Sequence, residues 1–353
     1  MTIVSEMERM KQERAPVRFQ NVSRRFGNVR ALDDFCLDVA AGEFVTLLGP
    51  SGSGKTTALN VLAGFDRATS GEIYIGKAAV GMLPPEKRNV GMVFQSFALF
   101  PHMSVFDNVA FPLRMRRVAA RDVKARVLRA LEMVQLAGYG ERKPAALSGG
   151  QRQRVALARA VVAEPPVLLM DESLSALDLK LREELQEEIR KLHRELGTTV
   201  VFVTHDQGEA LTLSDRVAIM DRGRICQLDT PGALYDRPVS CFVADFIGRT
   251  NIVPAANGPH AATIGLGRVP DGVVALSLRP EKLTRTPGPS DARFEAAVQD
   301  VALRGATTEL RLRLASGLVL RMSEPRSGAL QPPARGETIC VGFALQDATP
   351  LYE

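Results

Sequence analysis

The chain has 353 residues, of which 45% are hydrophobic and 24% are charged, a composition typical of a soluble globular protein with room for two domains. The formal net charge is +5, but no local stripe of lysine and arginine with interleaved aromatic residues indicates a nucleic-acid interface. We therefore expect no nucleic acid among the partners. The four cysteines are far apart and form no Cys-x-x-Cys pair, and no stretch reaches the roughly 20 apolar residues that span a bilayer.

Residues 1–16 are predicted to be an N-terminal extension, because charged and polar residues alternate there without the apolar core of a signal peptide. We therefore expect a cytoplasmic protein. From Val17 to Val22 an alternating pattern predicts a strand that ends at Phe26, with Phe35 to Val39 as its partner. Phe26 precedes the glycine-rich loop described next by about twenty residues, and spacing alone leaves two roles open, a core aromatic or a ring stacked on adenine.

A glycine-rich loop joins the apolar run Glu43 to Leu48 to the helix-like segment Ala58 to Ala63, in the spacing G-x-x-x-x-G-K-[ST]. Its members are Gly49, Pro50, Ser51, Gly52, Ser53, Gly54, Lys55, Thr56 and Thr57. Such a loop turns successive N–H groups towards a triphosphate at a helix N-terminus. Lys55 is predicted to reach the β- and γ-phosphates, Thr56 to bind Mg²⁺ and Thr57 to donate to phosphate. The alternative, a flexible glycine turn, explains neither the strand nor the helix.

Further strands are predicted at Gly71 to Ile75 and at Val90 to Phe94, the second ending at Gln95. Two helices are then predicted, over Ser104 to Arg116 and Arg121 to Leu136, because apolar residues recur there at helical spacing. The second helix is expected to bury one face, formed by Val123, Val127, Leu128, Leu131 and Val134.

Beyond Leu147 a second anion-accepting helix start is predicted, because a serine and two glycines precede an alanine-rich helix over Val155 to Ala160. Its members are Ser148, Gly149, Gly150 and Gln151.

Two later strands are predicted to end in polar groups. Val167 to Met170 is followed by Asp171 and Glu172, which are expected to hold Mg²⁺ and to activate water; a capping pair for the next helix is the alternative. After a charged helix over Leu177 to Leu196, the run Thr199 to Val203 ends near His205. Because parallel strands end at one edge of a sheet, we expect His205, Asp171 and Gln95 to share that edge.

The alternation of strands and helices predicts a parallel sheet with helices on both faces. Beyond Gly248 the composition changes to short alternating runs with frequent glycine and proline, which predict a small β-barrel-like domain. These runs are Val273 to Leu278, Glu309 to Leu314 and Leu318 to Leu320. The predicted domains are therefore residues 17–248, with a helical subdomain over about 96–160, and residues 249–353.

Together and in this order, these motifs resemble the ATP-binding subunit of an ABC transporter. The sharpest match is the segment Leu147 to Gln151, which resembles the signature of that family. The resemblance implies a P-loop NTPase fold, an ABC cassette with a mixed α/β sheet and a helical subdomain, followed by a small all-β, OB-like domain of the TOBE type. Leu278 to Glu281 resembles the accessory domain of bacterial importers that use a binding protein.

The branch of the family is indicated by Leu234 to Pro238, Phe242 to Gly248 and Asn251, which look most like the spermidine/putrescine group. Sugar, iron and thiamine importers share much of this pattern, so another solute stays open. A soluble ABC ATPase without a transport role is the alternative from another class, and a ligand-sensing role of residues 250–353 is a third reading.

The resemblance further implies a head-to-tail dimer of two copies, in which each ATP lies between one glycine-rich loop and the partner's Ser148 to Gln151 segment. Carried over by position, Phe26 would stack on adenine, Glu172 would be the catalytic base and His205 would contact the γ-phosphate. Gln95 and Asp171 would approach Mg²⁺. The loop ending in Asp178 would link the two sites. ATP and Mg²⁺ are the implied cofactors.

The implied partners are a second copy of the chain, two integral membrane permease subunits and an extracytoplasmic solute-binding protein. The implied location is peripheral, at the cytoplasmic face of the bacterial inner membrane. Two positions depart from the family pattern: Ser173 replaces a usual proline, and Gly208 replaces a common glutamate. The sequence leaves open whether they change the hydrolysis rate.

Overall fold

The computed structural model describes residues 14–172, 179–254, 264–265, 271–326 and 331–352. Its contacts divide the chain into two units, Met1–Pro231 and Gly232–Glu353. This division precedes the sequence-based limit at residue 248. The reason is packing, since Ala244 lies in one apolar cluster with Ala275 and Leu351 of the later strands.

The main sheet of the first unit has six strands in the order β10-β9-β3-β8-β7-β6. Their bounds are β3 Phe44–Leu48, β6 Val90–Val93, β7 Val167–Asp171, β8 Thr199–Thr204, β9 Arg216–Asp221 and β10 Arg224–Asp229. Strands β9, β3, β8, β7 and β6 run parallel, and β10 pairs antiparallel with β9. The sheet is therefore mixed, which confirms the predicted fold class. The hairpin of β9 and β10 is an element that the sequence analysis did not single out.

A second, antiparallel sheet of the first unit has the order β2-β1-β4-β5. Its strands are β1 Val17–Phe26, β2 Val29–Val39, β4 Ser70–Ile75 and β5 Ala78–Ala79. Strand β2 begins at Val29, earlier than the predicted Phe35, because β1 and β2 form a hairpin that pairs Phe26 with Val29.

Six helices of the first unit lie in the described part of the chain. They are α1 Lys55–Ala63, α2 Val105–Met115, α3 Ala120–Met133, α4 Gly149–Val161, α5 Leu179–Leu196 and α6 Gln207–Leu213. The main sheet is apolar on both faces: in β8, Val200 and Phe202 join one core with helices α2 to α5, and Val201 and Val203 join a second core with α1 and the antiparallel sheet.

One predicted core position is wrong. Leu128 is 51% exposed, whereas Val123, Val127, Leu131 and Val134 are buried as expected. At about 100° per residue, Leu128 lies roughly 140° around the helix from Val123, outside the apolar stripe.

The second unit begins with two short helices, α7 Pro231–Asp236 and α8 Cys241–Phe246, and continues with strands in two antiparallel sheets. The three-stranded sheet contains β11 Asn251–Pro254, β12 Ala275–Leu278 and β17 Ala348–Leu351. The four-stranded sheet contains β13 Ala292–Arg304, β14 Thr307–Arg313, β15 Val319–Pro325 and β16 Thr338–Phe343. The predicted β-rich domain is therefore confirmed.

Arg279 holds the helical and β parts of the second unit together. Its buried guanidinium donates hydrogen bonds to the carbonyls of Tyr235, Ala244 and Arg249, and it stacks 4.1 Å from the centre of the Tyr235 ring. Burial and the hydrogen bond to Glu281 raise the pKa of Tyr235 to about 12. The contacts of Arg279 explain why an arginine stands in the Leu278 to Glu281 motif.

Candidate functional site

The glycine-rich loop connects β3 to α1 and needs glycine at its two ends. A Cβ at Gly49 would lie 2.3 Å from the Met220 carbonyl oxygen, and one at Gly54 would lie 2.3 Å from that of Ala31. Gly54 also has a φ of +101°, which favours glycine. Gly54 caps α1 without a side-chain hydrogen bond among the described residues, so the first N–H groups of the helix point into the loop uncapped.

The interior of the loop is polar. The Ser53 hydroxyl is buried and has no hydrogen-bond partner among the described residues. The Lys55 ammonium donates to the carbonyl oxygens of Gly49 at 2.8 Å and Pro50 at 2.9 Å, which uses two of its three donors. Burial lowers the pKa of Lys55, and the neighbouring carboxylates of Glu172 and Asp171 act in the opposite direction. An uncapped helix start, an orphaned hydroxyl and a buried cation fit a bound phosphate group.

The carboxyl edge of the main sheet brings three predicted residues together. Gln95 Nε2 donates to Glu172 Oε2 at 3.1 Å, and His205 Nδ1 lies 3.2 Å from Glu172 Oε1. Glu172 itself has a φ of +37°, unusual for a residue with a side chain, and its N–H donates to the Val203 carbonyl. The strand ends of β6, β7 and β8 thus converge on one carboxylate.

Asp171 lies at the end of β7 beside this group. Burial raises its pKa, the nearby Glu172 carboxylate adds to the rise, and Lys55 opposes it. The electrostatic interactions of Lys55 with both carboxylates place the glycine-rich loop next to the carboxyl edge. This follows from the sheet order, because β3 pairs with β8, and β8 with β7.

The predicted second helix start lies at the beginning of α4, and two of its own side chains cap part of its backbone. The Ser148 hydroxyl accepts the Gln151 N–H at 3.3 Å, and Gln151 Oε1 accepts the Ser148 N–H at 3.0 Å, a reciprocal capping box. No hydrogen bond or ion pair within the described residues joins Ser148–Gln151 to the glycine-rich loop. Within one copy of the chain the two predicted anion sites are therefore separate.

Phe26 lies at the tip of the β1–β2 hairpin and is 46% exposed, so it is not a core aromatic. The Arg24 guanidinium carbon lies 4.2 Å from its ring centroid. The start of β2 passes the glycine-rich loop at Ala31, as the contact with Gly54 shows. Ser173 and Asp178 lie outside the described residues, and Gly208 is exposed on the first turn of α6.

Comparison with known proteins decides the family. The profile of the ABC transporter family matches residues 32–175, and that of the TOBE domain matches residues 276–351. The spermidine/putrescine import ATP-binding protein PotA of Rubrobacter xylanophilus is 46% identical over 347 residues, covering 93% of this chain and 91% of that protein. This chain belongs to the ABC transporter ATP-binding proteins.

Two other relatives support the same family assignment. PotA 2 of Pseudomonas aeruginosa is 47% identical over 348 residues, covering 93% of this chain and 95% of that protein. YdcT of Escherichia coli, described as an uncharacterized ABC transporter ATP-binding protein, is 45% identical over 340 residues, covering 96% of this chain and 98% of that protein.

Among solved structures, the ATP-binding cassette MJ0796, described as a dimer in a post-hydrolysis state bound to ADP and Pi, is 35% identical. It matches with a TM-score of 0.54 over 61% of this chain and 98% of that one. The chain is thus an ATPase of this class. Its described helices are each too short or too polar to cross a membrane.

Two residues of the ABC cassette, Glu209 and Arg159, were not identified from the sequence. Glu209, four residues after His205, is fully buried; its carboxylate accepts a 2.6 Å hydrogen bond from Thr204 and lies 3.9 Å from the Arg182 guanidinium. Burial raises the pKa of Glu209. Arg159 is buried in α4 and contacts the segment that follows Gln95. The one sequence signal for Arg159 is a cation inside the apolar run of α4, a pattern that shows burial but names no partner.

Proposed function

We propose that this chain hydrolyses ATP to power the import of a polyamine, spermidine or putrescine, through a membrane permease. Relatives named for spermidine/putrescine import match more than nine-tenths of both chains at 46–47% identity, which supports this substrate. The observation that carries the ATP-driven part is the convergence of Gln95 and His205 on Glu172, next to the Lys55 loop.

The proposed assembly contains two copies of this chain arranged head to tail. The capping box of α4 supports this arrangement. The Ser148 hydroxyl oxygen accepts a hydrogen bond within the box, and its proton remains a donor for the phosphate of a nucleotide that the other copy binds. Two permease subunits and an extracytoplasmic solute-binding protein complete the proposed complex, with this chain at the cytoplasmic face of the inner membrane. Residues 249–353 form the proposed accessory domain.

In the proposed site the phosphates of ATP lie in the loop from Gly49 to Thr57, and adenine stacks on the exposed ring of Phe26. The oxygen groups of Thr56, Gln95 and Asp171 fit Mg²⁺, which prefers oxygen ligands and usually keeps few protein ligands beside substrate phosphates. When bound, Mg²⁺ supplies positive charge that neutralises the phosphate oxygens.

The proposed role of Glu172 is that of general base towards the attacking water. Gln95 and His205 hold its two carboxylate oxygens, one each, so they orient the base. Lys55 stabilises negative charge that develops on the transferred phosphoryl group. The partner's Ser148 to Gln151 segment adds donors when the two copies close, which would make ATP binding and dimerisation mutually dependent.

The test is solute uptake by cells that lack the gene for this chain. Wild-type protein should restore uptake of labelled spermidine or putrescine, and Glu172→Gln should not, whereas the same change at exposed Glu187 should restore uptake fully. Restored uptake of a sugar, ferric iron or thiamine instead would contradict the polyamine substrate. Purification with ribosomes and without a permease would contradict the transport role.

A further inference from the structure

The segment that follows Gln95 is irregular and strained. Phe94 to Phe97 forms a turn closed by a 2.9 Å hydrogen bond from the Phe97 N–H to the Phe94 carbonyl, with Gln95 at its second position. Phe97 and Ala98 then adopt φ values of +61° and +42°. Two consecutive residues with side chains in the left-handed region persist only where their surroundings hold them there.

The group that holds them is Arg159 of α4. Its Nη2 donates to the Phe97 carbonyl and its Nη1 to the Ala98 carbonyl, both at 2.8 Å. One planar guanidinium therefore binds both carbonyls of the strained pair, a geometry that a lysine ammonium does not reproduce. The guanidinium carbon also lies 5.6 Å from the Phe100 ring centroid.

Arg159 is costly as a purely structural residue. It is only 9% exposed, and no carboxylate among the described residues lies within ion-pair distance of it. A buried cation that is compensated only by two carbonyl dipoles and the more distant Phe100 ring carries a desolvation penalty, and an apolar side chain would fill the same space without it. The charge is therefore used for the two carbonyls that it binds.

The chain of contacts continues from Arg159 to the reacting groups. Arg159 fixes Phe97, Phe97 closes the turn around Gln95, and Gln95 Nε2 binds Glu172 Oε2 at 3.1 Å. In the other direction, Ser148 begins the same helix eleven residues earlier, about 16 Å along the axis at 1.5 Å per residue. One rigid helix thus joins the Ser148 helix start to the Gln95 turn.

We infer that Arg159 is a positioning residue for Gln95, fixing the turn that presents Gln95 to Glu172 and tying that turn to the helix that begins at Ser148. The tie to Ser148 rests on the proposed head-to-tail dimer: movement of α4 against the partner's nucleotide would then shift Gln95 in its own site. The positioning of Gln95 itself needs only one copy of the chain.

The first test compares Arg159→Met with Arg154→Met. Arg154 lies on the same helix and pairs with Glu188 at 2.7 Å, so its loss removes a comparable contact away from the Gln95 turn. For Arg159→Met we expect kcat for ATP to fall about tenfold with KM within twofold, since small misplacements of catalytic groups cost up to ~10²-fold. For Arg154→Met we expect a lower unfolding temperature with an unchanged kcat. Equal loss of kcat in the two variants would overturn the inference.

Strain supplies a second test. Adding Ala98→Gly to Arg159→Met should restore part of kcat, because glycine accepts the left-handed conformation without being held. No restoration would contradict the role of Arg159 as the residue that holds this conformation.

If Arg159→Met does not fold, Arg159→Lys replaces it in a double-mutant cycle with Gln95→Ala. Arg159→Lys should lower kcat in wild type and add nothing once Gln95 is absent. An additive loss would overturn the inference.

Hydrogen exchange of the unliganded full chain separates this inference from the proposed function. In Arg159→Lys, exchange should rise in peptides covering residues 94–104 and stay unchanged in α1. Exchange that is unchanged in both regions would sink the inference even if ATP hydrolysis and uptake behave as proposed. Raised exchange in a protein that imports no polyamine would leave it standing.

Discussion

Two helices of the same cassette, α1 and α4, differ in how the backbone N–H groups of their first turns are capped. Helix α1 begins at Gly54, which offers no side-chain cap, and a buried hydroxyl and a lysine surround its first turn. Helix α4 begins at Ser148, whose capping box with Gln151 pairs two backbone N–H groups, those of Ser148 and Gln151, within the same segment. The first start has no side-chain cap in the described part of the chain, whereas the second is partly capped and is proposed to face a phosphate that the other copy of the chain binds.

This difference assigns different tasks to the two segments. In the proposed site the α1 start binds the phosphates within its own chain, since glycines bring the backbone close and Lys55 adds charge. In the proposed dimer the α4 start adds donors only when the other copy brings a phosphate to it. Four variants test these two roles.

The largest effect is expected for Glu172→Gln, which leaves both helix starts intact and removes the proposed base. Hydrolysis should fall about 10²–10⁴-fold, the usual contribution of a general base. ATP should then accumulate between the two starts, so light scattering should show a long-lived ATP-dependent dimer. Near-normal turnover would contradict the role of Glu172 as the general base.

Lys55→Ala breaks the α1 start. Hydrolysis should fall about 10²–10³-fold, as for loss of one preorganised donor, and binding of a fluorescent ATP analogue should weaken in the isolated chain. The ATP-dependent dimer of the Glu172→Gln protein should disappear when the two changes are combined. Retained ATP affinity in Lys55→Ala would show that α1 alone does not hold the phosphates.

Ser148→Ala breaks the α4 start and has a matched control in Ser104→Ala. Ser104 caps α2 in the same way, accepting the Asp107 N–H at 3.1 Å. Each change should cost about 1 kcal/mol in the free energy of unfolding, measured by urea denaturation. We expect Ser148→Ala alone to reduce hydrolysis, while ATP binding to the monomer is unchanged. An equal effect of both variants on hydrolysis would reduce Ser148 to a structural cap.

The smallest effect concerns a third helix start, that of α6, where the Asp206 side chain accepts the Glu209 N–H beside His205. Burial raises the pKa of Glu209, so the folded state favours its protonated form. The stability contribution of this group is complete below its ordinary pKa of 4.5 and is lost as pH rises through the raised value. Glu209→Gln resembles the protonated form. Its unfolding free energy relative to wild type should therefore increase between pH 5 and pH 8, and a constant difference would contradict this.

Much of the site follows from local sequence, and the exceptions have identifiable causes. The glycine-rich loop and the helix start at Ser148 are set by residues a few positions apart, so motif spacing predicts them, whereas the capping box of Ser148 with Gln151 is a finding of the structure. The shared edge of Asp171, Gln95 and His205 was predicted because parallel strands end on the same side. Leu128 was misplaced because apolar character alone does not give the angle around a helix. Arg159 and Glu209 were missed because a pattern indicates burial without naming the partner across the fold.

Short-range sequence patterns account for the glycine-rich loop, the helix start at Ser148 and the strand runs, because turns, caps and apolar alternation depend on backbone preferences over a few residues. Long-range packing, by contrast, brings Gln95 and His205 to the two oxygens of Glu172, places Arg159 on the turn that follows Gln95, and groups α7 and α8 with the β-rich unit. The Gln95–Glu172 contact spans 77 positions of the chain. Contacts between residues so far apart in the sequence depend on which strands pair and how helices pack on them. Short-range sequence patterns do not specify the order of strands in the sheet.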